Sequence, residues 1–149
     1  MYFSVTFRNA NGQKKNTWED WHLIPTTPPM IAPPEPEYNY VDIPGSLDGP
    51  LDLTGALSNG KPTFKNSSGT WQFYWVPQSN AETRVNVVRD IRRFLNGGRF
   101  VVSLEEDPGF YHVGRFSLSD VSVGKDPTKV TLKYQVSPNE YTAEDLGYV

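Results

Sequence analysis

Asn80-Ala81-Glu82-Thr83-Arg84-Val85-Asn86-Val87-Val88-Arg89-Asp90-Ile91-Arg92-Arg93-Phe94-Leu95-Asn96-Gly97-Gly98 is the stretch that decides the fold. Val85, Val88, Ile91 and Leu95 recur at spacings of three and four, and Val87 and Phe94 widen the stripe. That period marks a helix with one apolar face. Asn80 is the expected N-cap, Glu82 an acid in the first turn, and Asn96-Gly97-Gly98 the stop. The helix is therefore expected at about residues 80–96. Arg89, Arg92, Arg93 and nearby Arg99 make the opposite side basic, with Asp90 interspersed. No glycine-rich phosphate loop or aromatic interleaving accompanies them, so this side reads as a solvated or subunit-facing surface.

Everything around this helix has the period of strands. Upstream, Trp71, Phe73 and Trp75 alternate with Gln72 and Tyr74, and Pro77 ends the run. Lys61 to Lys65 reads as a short edge strand. At the start of the chain Phe3, Val5 and Phe7 alternate with Ser4, Thr6 and Arg8. Asn11-Gly12 then predicts a hairpin turn, with a return over residues 13–16. Downstream, residues 99–104 form a strand and Glu105-Glu106-Asp107-Pro108-Gly109 an acidic turn. Residues 110–118 follow as a strand, in which Gly114 marks a bulge or close approach. Val121 and Val123 start another, and Val130, Leu132, Tyr134 and Val136 give the cleanest alternation. Roughly six to eight strands with one inserted helix predict a mainly β (α+β) fold. The expected form is an antiparallel β-sandwich or open barrel with one covering helix and an extended proline-rich arm. The domain is expected over residues 1–138, with the arm and loop at 25–60 and a surface tail at 139–149.

The segment from Asn16 to Thr54 is harder to assign. Thr17 can cap a short turn, and Asp20 suits its positive end. Trp18 and Trp21 then fall on one side of that turn. They read either as an anchor holding an arm to its own domain or a neighbour, or as ordinary core. Pro25, Pro28, Pro29, Pro33, Pro34 and Pro36 forbid helix and favour a stiff extended path. The arm is expected to reach a neighbouring subunit, the alternative being a surface loop over one domain edge. Tyr38 to Ile43 is a strand candidate. Asp42, Asp48 and Asp52 sit in a glycine loop, but their spacing does not match a calcium loop, so they read as partners of turn backbone and no metal is expected.

The chain has 149 residues, a net charge of -3, thirteen prolines, twelve glycines and no cysteine. Its mean hydropathy is -0.54. These values give no global attraction to nucleic acid or anionic lipid, and no disulfide or thiolate chemistry. With no leader and no apolar run of membrane-spanning length, the chain reads as soluble and made in the cytoplasm. Chemistry is equally sparse. His22 lies beside Trp21 and His112 between Tyr111 and Val113, neither with a carboxylate at a helpful spacing. Each reads as a packed or surface residue. Glu105, Glu106 and Asp107 read as solvated turn residues. No nucleophile elbow is present. The expectation is no enzyme, no catalytic residue and no cofactor.

One resemblance goes further. Thr17-Trp18-Glu19-Asp20-Trp21-His22-Leu23-Ile24-Pro25-Thr26, Tyr40-Val41-Asp42-Ile43-Pro44-Gly45, Leu51-Asp52-Leu53-Thr54 and Gly69-Thr70-Trp71-Gln72-Phe73 occur in order. Asp107-Pro108, Tyr111, Gly114-Arg115-Phe116 and a strand at 130–136 complete the pattern. Over roughly residues 10–138 this resembles tail proteins of tailed phages and prophages of Gram-positive hosts, similar to the N-terminal domain of distal tail proteins. The resemblance implies a structural virion protein, synthesised in the host cytoplasm. It would form a homohexameric ring at the distal end of a long tail. The ring would join the tail tube protein to the tip or tail-associated protein, with DNA passing only through its channel and no membrane contact. Larger members carry a galectin-like domain, which is not expected here. The residues carried over are Trp18, Trp21, His22, Leu23 and Ile24 as interface anchors and Tyr40, Asp42, Gly45 and Asp52 as the loop they hold. Gly114, Arg115 and Phe116 would shape the sheet. The alternative is a carbohydrate-binding β-sandwich that contacts the host surface through Trp71, Tyr74 and Trp75.

Overall fold

Val5 and Phe7 are buried and alternate with half-buried Thr6 and Arg8, the period that sets every second strand residue on one sheet face. The computed structural model describes residues 2–37, 63–78, 83–122 and 128–147, and the backbone of residues 40–41 and 51–52. In chain order its elements are β1 (Val5–Arg8), β2 (Lys14–Asn16), β3 (Leu23–Pro25), β4 (Pro36–Glu37), β5 (Tyr40–Val41), β6 (Leu51–Asp52) and β7 (Thr63–Phe64). They continue with β8 (Ser67–Trp75), α1 (Arg84–Leu95), β9 (Arg99–Leu104), β10 (Asp107–Ser122), β11 (Lys129–Val136) and β12 (Tyr141–Thr142).

The strands of the main sheet run in the order β2-β1-β9-β10-β11-β8-β3, all antiparallel, and β12 adds to β10. Its two outer strands, β2 and β3, are neighbours in sequence. The link between them is held at both ends. Thr17 donates its N–H to Val5 O at 3.0 Å, and Leu23 N–H donates to Thr17 O at 2.7 Å. One short turn thus bridges the two ends of the sheet, which curls toward an open barrel, one of the two forms expected from the strand pattern. Phe7, Trp21, Leu23, Trp71, Phe73, Phe100, Phe116 and Tyr134 fill it. Phe7 meets Phe116 edge to face at 5.1 Å, and Trp71 lies 4.9 Å from Tyr134. Such pairs add about 0.5–1.5 kcal/mol each beyond the area they bury.

Helix α1 covers one side, but its start and its buried stripe differ from expectation. Thr83 is the N-cap: its backbone is extended and its side chain accepts from Asn86 N–H. Residues Asn80 and Glu82 lie outside the described residues, and the first turn of α1 holds no acid. Val87, Ile91 and Leu95 face the core, whereas Val85 is 57% exposed. Valines at 85, 87 and 88 allow two stripes, and the sheet takes the one spaced by four. Asn96 closes the helix in the left-handed region at φ 37°.

Three further expectations change. The acidic turn is only Glu105-Glu106, and Asp107 already begins β10. The strands expected at 110–118 and from Val121 are one strand, which absorbs an irregularity between Leu118 and Asp120. The tail is not merely surface chain, because Tyr141 pairs with Tyr111 and Thr142 with Phe110. Gly114 is a close approach, where a Cβ would sit 2.6 Å from Val136 Cα. The proline segment leads into two small ribbons, β4 with β7 and β5 with β6.

Candidate functional site

Asn16, not Thr17, caps the turn that carries the tryptophans. Its Oδ1 accepts from Trp18 N–H at 2.9 Å and Glu19 N–H at 3.0 Å, while Asp20 Oδ2 accepts from Asn16 N–H at 2.7 Å. Thr17 is fully buried, its hydroxyl accepting from Val5 N–H at 2.9 Å. The turn closes with His22 N–H donating to Trp18 O, and His22 takes a left-handed φ of 54°.

The two indoles have different surroundings. Trp21 is 1% exposed, its Nε1–H donates to Asp90 Oδ2 at 2.7 Å, and its ring meets Phe94 and Phe7. It pins the turn to α1 and belongs to the core, as does Leu23. Trp18 is half-buried and stacks on Tyr2 at 4.0 Å, with His22 against its edge. Tyr2 is 48% exposed, so this pair forms an aromatic plate at the surface. Ile24 is half-buried opposite Tyr74. Tyr40 and Asp52 pair through their backbones, while their side chains, and all of Asp42 and Gly45, lie outside the described residues. Phe116 is core, and Arg115 donates to Gly97 O at 3.2 Å.

The proline segment lies against its own sheet. Thr26 N–H donates to Gln72 O, Trp71 Nε1–H to Met30 O at 2.9 Å, and Ala32 N–H to the Tyr134 hydroxyl at 3.1 Å. Pro29 is buried. Over residues 26–32 the segment docks on β8 and β11 of its own domain. Extended chain has free backbone groups, and the indole and phenol at this edge satisfy them.

Beside the docked segment opens a groove of about 450 Å³, lined by Met30, Pro34, Ser67, Asp107, His112 and Glu140 among others. One nitrogen of His112 and one carboxylate oxygen each of Asp107 and Glu140 lie within 4.8 Å of one another. Sequence spacing hid this cluster. Between the pairs Asp107↔Leu104 and His112↔Val102, β10 uses five residues where β9 uses two, and the slack turns Asp107 toward His112. Tyr141 pairs with Tyr111, and extending that register by one residue sets Glu140 opposite His112. His112 is 6% exposed. Burial pushes its imidazole below the ordinary range, against the pull of Glu140 and Asp107. A neutral imidazole is the form that accepts a proton or binds a cation. Ser67 is 4% exposed, and its Oγ has no hydrogen-bond partner. An unmatched buried hydroxyl costs about 1–3 kcal/mol.

The sugar-platform alternative expected Trp71, Tyr74 and Trp75 on the surface. Trp71 is buried, Trp75 half-buried, and Tyr74 alone of the three is exposed.

No protein-family model and no curated protein matches the chain. Among solved structures it is similar to SPP1 Dit, a protein described as a paradigm of the hub adsorption apparatus in phages that infect Gram-positive hosts, with a TM-score of 0.60 at 16% identity. The likeness covers 95% of this chain and 53% of that one, so the chain spans about half the length of the structure it matches. At that identity the likeness is one of fold.

Proposed function

We propose that this chain is a structural component of a phage tail, acting at the hub where the tail meets the adsorption apparatus. The observation that carries the reading is the fold likeness to SPP1 Dit over 95% of the chain. The resemblance of the segments at 17–26, 40–54 and 107–116 supports it independently.

In the finer reading the chain forms a homohexameric ring, with the tail tube protein on one side and the tip or tail-associated protein on the other. DNA passes through the ring and no reaction is performed. Trp21 and Leu23, being core, act from within by fixing the turn. Contact with a neighbouring copy falls to the Tyr2–Trp18 plate, to His22 against it, to Ile24 in β3, and to the loop of Tyr40, Asp42, Gly45 and Asp52. Repetition of one such contact around an axis closes a ring.

Native mass measurement and negative-stain microscopy of the purified protein test this. Six-membered rings are expected, and Trp18→Ser should lower their fraction at least tenfold while leaving the folded monomer. A protein that stays monomeric at high concentration, alone and with the tube and tip proteins, overturns the ring. Absence from purified virions by immunolabelling overturns the tail role itself.

A further inference from the structure

We propose that Asp107, His112 and Glu140 hold one divalent first-row cation, with Zn²⁺ the best fit, beside the groove next to the docked proline segment. This assignment does not rest on the tail reading. The three ligands come from separate places in the chain: the start of β10, its bulged first half, and the segment just before β12. Their donor atoms lie within 4.8 Å of one another, close enough for one ion to reach all three after small side-chain rotations.

The donor set selects the ion. Two carboxylates alone would suit Ca²⁺, Mg²⁺ or Mn²⁺, while an imidazole shifts the preference toward Zn²⁺ and its neighbours. Three protein ligands leave one tetrahedral position for water. A second observation points to the same place. Ser67, 4% exposed, lines the same groove with its Oγ unpartnered among the described residues. The physical result is a second tie: Glu140 is exposed, and the ion would reinforce the pairing of β12 with β10.

The test is calorimetric titration of the chelator-treated, full-length protein with ZnCl₂, beside MnCl₂, CaCl₂ and MgCl₂. One Zn²⁺ per chain is expected, with at least tenfold preference over Ca²⁺ and Mg²⁺. Glu140→Gln, at an exposed position, should weaken Zn²⁺ at least tenfold without changing the apo melting temperature. His22→Gln should leave binding unchanged. Co²⁺ should give visible d–d bands in the wild type that Glu140→Gln abolishes. Absence of saturable one-to-one uptake overturns the proposal, as does equal uptake by wild type and Glu140→Gln. Tighter binding of Ca²⁺ or Mg²⁺ than of Zn²⁺ overturns the choice of ion.

Discussion

Trp21 shows how one side chain can settle the placement of several elements. Its indole fills the gap between β1 and α1, and its N–H is matched by Asp90. Removal of so large a buried group costs about 3–5 kcal/mol, against a total stability of about 5–15 kcal/mol for a domain. Trp21→Ala is therefore expected to lower the urea midpoint severely. Trp18→Ala, at a half-buried position, should cost well under half as much in the same titration. Equal losses would contradict the separation of the two indoles into core and surface. Gly114 is decided by space rather than by backbone freedom. A methyl there would press on the backbone of β11 at Val136, and backbone cannot rotate away. Gly114→Ala should cost about 1–3 kcal/mol, the usual range for overpacking, as read by thermal unfolding.

At the scale of elements, end contacts and registers matter most. Thr83 supplies the side-chain cap of α1, so Thr83→Ala should lose about 0.5–2 kcal/mol, read from the melting curve. The turn after β12 has its own reciprocal cap: Thr142 N–H donates to Asp145 Oδ2 at 3.0 Å, and Asp145 N–H to the Thr142 hydroxyl at 3.3 Å. The Thr142 backbone N–H first, and then the Thr142 hydroxyl, hold the Asp145 carboxyl below its ordinary range. A depressed carboxylate stabilises the folded form above its unfolded value and loses that effect as pH falls through the folded one. The turn should thus be protected at neutral pH and loosen below about pH 4. Amide exchange at residues 142–147 is the readout, and Asp145→Asn should remove the pH dependence.

For the whole molecule, the consequence is that the proline segment is part of the domain. It docks on β8 and β11 through Trp71 and Tyr134. Replacing residues 26–34 by a glycine-serine stretch should therefore lower the melting temperature of the isolated monomer. If only ring formation suffers and the monomer melts unchanged, the segment serves a neighbour instead. Among the described residues no helix is long and apolar enough to cross a membrane.

Local chemistry alone determined a good deal of this. Alternation at Val5 and Phe7, at Trp71 and Phe73, and from Val130 to Val136 is set by the strand period, and the Asn11-Gly12 turn by backbone geometry. A helix ending near Asn96-Gly97 follows in the same way. These features depend on residues a few positions apart, so they can be read without a fold. Which valines of α1 turn inward, where Trp21 and Trp18 come to rest, and where the proline segment lies were decided by the curled sheet. The Asp107–His112–Glu140 cluster is the clearest case. It exists because a bulge in β10 and the pairing of β12 with β10 bring distant residues together, and no sequence spacing encodes a contact that only strand register creates.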